Sequence, residues 1–502
     1  MLNWLRKKSD TQNKLLLQVK EISQKLQQVL DDNQRLQNDV RKLQENVKEK
    51  EYMLAEERRK HKVYDGMLLS NEQSAVVDLL EKTDNCYFIT GKAGTGKSTI
   101  LKYFISTTTK KVVALAPTGI AANIIGGRTI HSFFGLAPKV QDVNDPVAVS
   151  SSMNAEPKLI EELDAIIIDE VSMVRSDVMD MIDHKLRIAR DNPAPYGGIQ
   201  MILFGDLFQL PPVVTKGEEG KILQNRYHTP YFFGAPSAEK SFIVCGLTQI
   251  FRQTDAAFIK ILNKIRVGKA TQDELDEVNK LCVNNMSFPQ NDMFIVPTNR
   301  QVNAINSEKL NLLKAEEFTY HAVSQGDATE DDTPTTDRIT LKVGASVMLL
   351  SNDINKNYVN GTLAKVVELA EDMIKVRIPG VGIISIDPYT WTKYQYVYNA
   401  DEDRIETKET GSFTQYPIKL AYAITVHKSQ GQTFEHATID YEKTGAFAPG
   451  QTYVALSRCR RLEDIHLLAP LQAKHIIVSH EAMDYLNRNA VPALQYAKEH
   501  LS

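Results

Sequence analysis

Apolar residues recur in alternating steps of four and three along the start of the chain: Leu15, Val19, Ile22, Leu26, Val29, Leu36, Val40, Leu43, Val47 and Leu54. Only Asn33 and Lys50 interrupt the seam. The spacing predicts a helix with one apolar stripe, and no glycine or proline before Gly66 gives it a reason to break. With Val19 at heptad position a, Asn33 also falls at a, where a lone asparagine fixes register and favours two strands. Six heptads make a rod of roughly 60 Å at ~1.5 Å per residue. We expect residues 1–62 to be a coiled-coil helix and 12–57 to pair as a parallel homodimer. The pattern also permits a single amphipathic helix lying on the body of the protein. Weak complementarity at e and g (Lys25 with Leu30, Asp39 with Gln44) leaves the partner poorly encoded.

From 63 to about 235 the period changes to short apolar strands alternating with helices. "CYFIT" (86–90), "VVALAPT" (112–118), "AIIIDE" (165–170) and "QMILFGD" (200–206) are near-continuous apolar runs, as strands of a parallel sheet covered on both faces must be. Ligands of such sheets bind at the carboxyl ends of the strands. Residues 136–158 show little periodicity and read as a surface excursion. Between about 320 and 412 come short β-type runs ("ITLKV", "SVMLL", "LAKVVEL", "IKVRI") separated by turns such as "PGVG", the texture of a small antiparallel barrel. "YPIKLAYAITVHK" (416–428) returns to α/β texture, so one domain is inserted into another. The expected division is a coiled-coil helix (1–62), a first α/β domain with the phosphate site (63–235), a second α/β domain in two parts (236–319 and 413–502) and an inserted β-barrel (320–412).

Composition adds limits. The 502 residues are 42% hydrophobic and 24% charged, ordinary for a globular chain of several domains. Net charge is −4, but residues 1–62 carry +5 and the remainder −9. A protein that tracks a strand needs only a basic groove, so bulk charge does not exclude nucleic acid. Cys86, Cys245, Cys282 and Cys459 lack pairing or metal-ligand spacing and read as reduced thiols of a cytosolic protein. No apolar run approaches the ~20 residues that span a bilayer, and "MLNWLRKKSD" lacks a secretory apolar core. We expect no membrane partner and a cytoplasmic location, at the nucleoid if the source is bacterial.

"TGKAGTGKST" (90–99) carries the first chemistry. Gly91, Gly96, Lys97 and Ser98 fit the pattern G-x-x-x-x-G-K-[ST], whose backbone N–H groups wrap nucleotide phosphates while the lysine meets the terminal phosphates and the hydroxyl holds magnesium. Ala93, Gly94, Thr95 and Thr99 belong to the same cradle, and Gly431 is assigned to the nucleotide site as well. The cofactors expected are ATP and magnesium, with no small-molecule substrate beyond ATP. A phosphate loop needs a strand ending in an acid to hold the metal through water; "IIIDEVSM" supplies Asp169, and Glu170 beside it suits the polarising of a water. "GDLFQLPPV" (205–213) places Gln209 just past another strand, where a sensor of the terminal phosphate would sit. His131 and His427 have no Cys or His neighbour at ligand spacing, which argues against a metal there.

The ordered set "GKAGTGKST", "APTGIAA", "TIHSFFGL", "IIIDEVSM", "GDLFQLPPV", "AITVHKSQGQT" and "YVALSRCRRL" resembles the motifs of superfamily-one helicases. More narrowly, "DEVSMVRSDVMDMIDHKLR" followed by "GGIQMILFGDLFQLPPV" resembles the Pif family of DNA helicases, over roughly residues 68–470. The resemblance implies two RecA-like parallel-sheet domains, the inserted barrel, and ATP-driven 5′-to-3′ movement on single-stranded DNA with unwinding of forked or tailed duplex DNA. It implies that Gln73 in "LSNEQ" reads adenine, and that Arg252 in "IFRQ" and Arg458 in "ALSR" reach the γ-phosphate from the second domain. It also implies strand contacts by Pro117, Thr118, His131, Thr425, His427 and Lys428, and by Asn352 and Asn360 in the insert. Phe133 is a further candidate strand contact that could stack on a base, though its place in the helix after His131 favours packing in a core, and Asn360-Gly361 equally suits a turn. A RecD-like or phage-type helicase shares these motifs, but "EVSMVRSD" favours the Pif type. A coiled-coil ATPase acting as a conformational switch is the reading from another class; intact acids and arginines argue against it. The rod is the departure from the family pattern.

Overall fold

The computed structural model describes residues 62–501 except 65, 137–139, 145–152, 154, 156, 215–217, 252–254, 284–292, 331–332, 354–356, 359, 400–403 and 443, with five isolated positions before them. The chain divides into two compact units, Met1–Leu69 and Ser70–Ser502. In the first, Val63–Tyr64 pairs antiparallel with Met67–Leu68 across Gly66, whose φ of 74° suits the turn. Val40, Lys42, Lys50, Met53 and Glu56 are helical. The rest of the expected coiled coil lies outside the described residues.

The second unit holds two parallel sheets. The larger has seven strands in the order Ala490–Pro492, Phe242–Leu247, Cys86–Gly91, Gln200–Gly205, Ala165–Ile168, Val112–Ala116 and Arg128–Thr129. Ala165–Ile168 and Gln200–Gly205 are buried throughout, which is why their sequences are apolar without alternation. Helices Asn71–Lys82, Lys97–Thr107 and Ser176–Ala189 flank this sheet in sequence; Ser70 caps the first with a capping box and Gly96, in the left-handed region, begins the second. The smaller sheet orders Ala423–Thr425, Met293–Val296, Ala437–Ile439 and Ile465–Leu467, and its core takes in Phe258, Leu262 and Ile265 of helix Ala256–Arg266. The fold is α/β with two parallel-sheet bodies, as expected.

The division at 235/236 does not follow the sheets. Phe242–Leu247 pairs with Cys86–Gly91, and Ala490–Pro492 returns from the far end of the chain to extend the same sheet. Any buried parallel strand reads as an apolar run, so "FIVCGL" gives no sign of which sheet it joins.

The insert is antiparallel. Ser346–Leu349, Leu363–Ala370, Met373–Ile378 and Gly382–Ile386 form a meander that Ile418–Leu420 completes at the free edge of Ser346–Leu349. A long hairpin, Tyr389–Asn399 with Arg404–Gln415, forms a separate three-stranded sheet with Val323–Gly326. Within the expected excursion at 136–158, the described residues are tied down: Gln141 N–H donates to buried Asp177 at 2.7 Å and Ala155 joins the first core. Among the described residues no helix is long and apolar enough to cross a membrane.

Candidate functional site

The phosphate loop joins strand Cys86–Gly91 to helix Lys97–Thr107. Gly94 and Gly96 have φ of 80° and 79°, and Gly96 is the helix N-cap. A Cβ on Gly96 would stand 2.3 Å from Gln73 Nε2, so glycine there keeps the cradle open to a close neighbour. Ser98 and Thr99 sit in the first turn of that helix, where unpaired N–H groups and the positive helix end favour anions. Lys97 Nζ donates to Gly91 O at 2.7 Å and Lys92 O at 3.0 Å, which folds the ammonium back over the loop. Burial pushes Lys97 down, against the pull of Asp206 and Glu170.

Gln73 is the third residue of helix Asn71–Lys82, and its Oε1 accepts the Ser70 N–H at 3.0 Å in a capping box. Its amide nitrogen is thereby aimed at the loop. Beside it, the Glu72 carboxylate accepts the N–H of Thr248 (3.0 Å) and of Gln249 (3.2 Å), and the Thr248 hydroxyl at 2.9 Å. That clamp sets the strap 248–251, whose end is fixed by Phe251 N–H donating to Gly94 O at 2.7 Å. The Phe251 ring is 47% exposed, and its Cδ2 would lie 3.7 Å from a Cβ on Gly96. An exposed aromatic held against the phosphate loop and next to Gln73 is placed to face a nucleobase. Arg252, one residue on, lies outside the described residues.

Strand Ala165–Ile168 delivers Asp169 and Glu170, as its sequence predicts. Glu170 takes the left-handed conformation (φ 50°, ψ 41°), and its N–H donates to Asp169 Oδ1 at 2.9 Å. Burial raises both carboxyls, and the Glu170 charge raises Asp169 further. A buried acid held near neutrality would be ionised by a divalent cation, and a hydroxyl with a carboxylate is the hard oxygen set magnesium takes; Ser98 and Asp169 therefore fit a magnesium nucleotide.

Three groups absent from the sequence reading complete the cleft. Arg266 Nη2 donates to Asp206 Oδ1 at 2.8 Å, and its guanidinium lies 4.1 Å from the centre of the Phe208 ring. Burial would raise Asp206, but Arg266 and Lys97 outweigh it and hold the carboxyl below its ordinary range. Tyr453 OH accepts the Ala93 N–H at 2.8 Å and lies 3.3 Å from Asp206 Oδ2. Gln430 Nε2 donates to Glu170 Oε2 at 2.9 Å. Gln209 is buried next to these groups, its N–H on Asp206 O at 2.9 Å. Arg458 is 1% exposed and bound to its own body: Nε to Val454 O, Nη1 to Ser429 O and Gln432 O, Nη2 to Ser457 Oγ, all between 2.8 and 3.0 Å. Its charge still acts on Glu170. Gly431 (φ 78°) turns the loop between Gln430 and Gln432.

A channel of about 480 Å³ runs between the first parallel-sheet body, the insert and the loop at Gln432. Gly119, Arg128, Thr129 and Ser132 line one side; Asn352, Asn360, Tyr389, Trp391, Lys393 and Lys419 line the other. Its charged lining residues, Arg128, Lys393 and Lys419, are all cations. Asn352 Oδ1 accepts the Asn360 N–H at 2.8 Å, so the two asparagines share one pinned turn at the channel. Pro117 and Thr118 lead into the lining, with Thr118 Oγ1 accepting Ala121 N–H at 3.3 Å to start helix Gly119–Ile125. His131 is half-buried between lining residues Thr129 and Ser132, and burial with Arg175 pushes it down. Thr425 is buried and caps Lys428 N–H at 3.1 Å; burial pushes His427 down, and Lys428 stands close enough to Lys419 to repel it. Phe133 is a core residue and not a strand contact: it is fully buried, edge-on to Phe134 with centroids 5.0 Å apart, among the apolar residues under the first sheet.

Comparison with known proteins agrees with this geometry. The family model described as PIF1-like helicase matches residues 68–276. ATP-dependent DNA helicase Pif1 of Bdellovibrio bacteriovorus is 31% identical over 408 residues, 80% of this chain and 88% of that protein. The crystal structure of Bacteroides sp Pif1 in complex with ADP-AlF4 is 39% identical with a TM-score of 0.76, over 86% of this chain and 98% of that one. The Bacteroides Pif1 structure bound to ssDNA is 40% identical with a TM-score of 0.64, over 84% and 97%. Similarity of this extent places the chain in the PIF1-like helicase family.

Proposed function

We propose that the protein is an ATP-dependent DNA helicase that moves 5′ to 3′ on single-stranded DNA and opens forked or tailed duplexes. The observation that carries the reading is the channel: in a chain of net charge −4, its charged lining residues are cations only, interleaved with Trp391, Tyr389 and carboxamides. Such a lining suits a phosphodiester backbone and unpaired bases, and contacts of this kind position a strand without reading its sequence. The Pif1 relative of known structure that binds ssDNA supports the same assignment.

In the cleft, the loop amides from Ala93 to Thr99 with Lys97 would hold the phosphates, and Gln73 with Phe251 the base. Magnesium carried with ATP would be held by Ser98 and, through water, by Asp169, and supplies neutralisation of phosphate charge. Glu170 would accept the proton of the attacking water, and Gln209 would report on the terminal phosphate. Arg252 and Arg458 would add positive charge where it develops, an effect that in arginine fingers reaches ~10³–10⁵ in rate. Because the cleft lies between the two parallel-sheet bodies, hydrolysis is tied to their approach. Residues 12–57 would pair two copies, and the motor would work in the cytoplasm, at the nucleoid in a bacterium.

The test is ATP turnover with and without single-stranded DNA, with unwinding of duplexes bearing a 5′ or a 3′ tail and Lys97→Ala as the blank. Strong stimulation with unwinding from the 5′ tail alone is expected. Turnover indifferent to DNA, with no unwinding from either tail, would overturn the reading in favour of a nucleotide-driven switch.

A further inference from the structure

We infer that Gln430 is the positioning residue through which an occupied channel governs hydrolysis: it orients the Glu170 carboxylate from the loop that borders the strand. The inference rests on the channel being the track for single-stranded DNA.

Three observations carry it. The first is the contact itself. Gln430 and Glu170 stand 260 residues apart, one on each parallel-sheet body, and meet at 2.9 Å with Gln430 only 8% exposed. The second is the state of Glu170. A left-handed backbone at a non-glycine residue is strained and persists only where its surroundings over-determine it. Glu170 is held there by its own N–H on Asp169 and by Gln430 on its carboxylate. The third is an unmatched acceptor: Gln430 Oε1 is buried with no hydrogen-bond partner among the described residues. A glutamine retained for packing alone would satisfy both ends or be replaced by an apolar side chain, because an unpaired buried acceptor is destabilising.

The connection to the channel is short and stiff. Ser429 N–H donates to Thr425 O at 2.9 Å, Ser429 Oγ to Val426 O at 2.8 Å, and Gln432 Nε2 to Lys428 O at 3.0 Å. Arg458 Nη1 then bridges Ser429 O and Gln432 O, at 3.0 Å each. Gln432 lines the channel, and Gln430, two residues earlier, enters the nucleotide cleft. A strand that fixes Gln432 therefore fixes the position of the Gln430 amide and, through it, the direction of the Glu170 carboxylate.

The test replaces the donor at nearly constant length, Gln430→Met, and shortens it with the carboxamide kept, Gln430→Asn. Basal ATP turnover, DNA-stimulated turnover, the KM for ATP and the Kd for a fluorescent oligothymidylate are read on the same preparations. Both variants are expected to lose about 10- to 100-fold of the DNA-stimulated kcat, the scale of a misplaced catalytic group, with KM and Kd within about twofold of wild type. Full stimulation retained in Gln430→Met would overturn the inference alone. So would a fall in kcat matched by equal losses in strand and ATP binding, since that reports a damaged fold. A wild-type rate that DNA does not raise would instead overturn the motor reading, and this coupling with it.

Discussion

Lys419 offers a quantitative test of the channel. It sits on strand Ile418–Leu420 opposite Met348, faces the channel, and has no ion-pair or hydrogen-bond partner among the described residues. The other two cations are engaged: Arg128 Nη2 donates to Ser132 Oγ at 2.8 Å, and Lys393 Nζ donates to Asp327 O at 3.0 Å. A phosphate that meets Lys419 thus gains an uncommitted charge and releases its condensed counterion. Each such contact adds about 0.7 to the slope of log K against log salt for a single strand, so three cations give a slope of about −2.1 and Lys419→Ala about −1.4. Between 50 and 200 mM salt the wild type would then lose about 18-fold in affinity and the variant about 7-fold, a differential of about 2.6-fold. Fluorescence anisotropy of a labelled oligothymidylate across that range, without nucleotide, measures it, and Lys419→Arg should restore the wild-type slope. Parallel lines for wild type and Lys419→Ala would refute the assignment of Lys419 to the strand.

Burial, with Lys428 nearby, lowers Lys419 to about 8, so the free protein loses this charge as pH rises through that value, whereas a bound phosphate keeps it protonated. Strand affinity should fall by about tenfold from pH 7 to pH 9 in the wild type and stay nearly flat in Lys419→Arg; equal falls in both would exclude Lys419 as the source. For folding the sign is opposite: a lysine depressed in the folded state stabilises it increasingly as pH rises above 8 toward the ordinary lysine value. Phe251→Ala should raise the KM for ATP by about 5- to 100-fold, the worth of one stacked base, and leave strand Kd in the absence of nucleotide unchanged; an unaltered KM would remove Phe251 from the base site. Gly450→Ala puts a Cβ 2.3 Å from Gln209 O at a φ of 76°, and at least about 2 kcal/mol should be lost in denaturant unfolding; full retention would mean that Gln209 yields freely.

The parts of the site that were legible in the sequence are those whose chemistry is local. Lys97 and Ser98 follow from a strand, a glycine turn and a helix written within a few residues of each other, and Asp169 and Glu170 from the acidic end of one apolar strand. The partners that complete them are not local. Arg266 reaches Asp206 over 60 residues, Glu72 reaches Thr248 over 176, Tyr453 reaches Asp206 over 247, and Gln430 reaches Glu170 over 260. In sequence Arg266 is only a cation ending a helix, and Tyr453 only an aromatic within one. Periodicity says little about Phe133 for a related reason: its helix, Ile130–Phe134, is five residues long, too short to show which side is covered. The expected boundary at 235/236 misses the strand at 242–247, because an apolar run carries no sign of which sheet it joins.

One short helix, Gln451–Leu456, gathers these long-range contacts. Its N-cap Gly450 lies against the Phe208 and Gln209 carbonyls, close enough that only glycine fits. Tyr453, within it, takes the Ala93 N–H of the phosphate loop and stands beside Asp206. Arg458, just past its end, ties down the loop that carries Gln430. A nucleotide phosphate that claims the Ala93 N–H competes directly with the Tyr453 hydroxyl, because a backbone amide has one proton to give. At least four of the five Arg458 donors are engaged within its own body, so a demand on that guanidinium from the cleft is felt at Ser429 and Gln432. In the proposed motor, nucleotide and strand would therefore act on opposite ends of the same few hydrogen bonds, and a change of occupant at one site would be felt at the other.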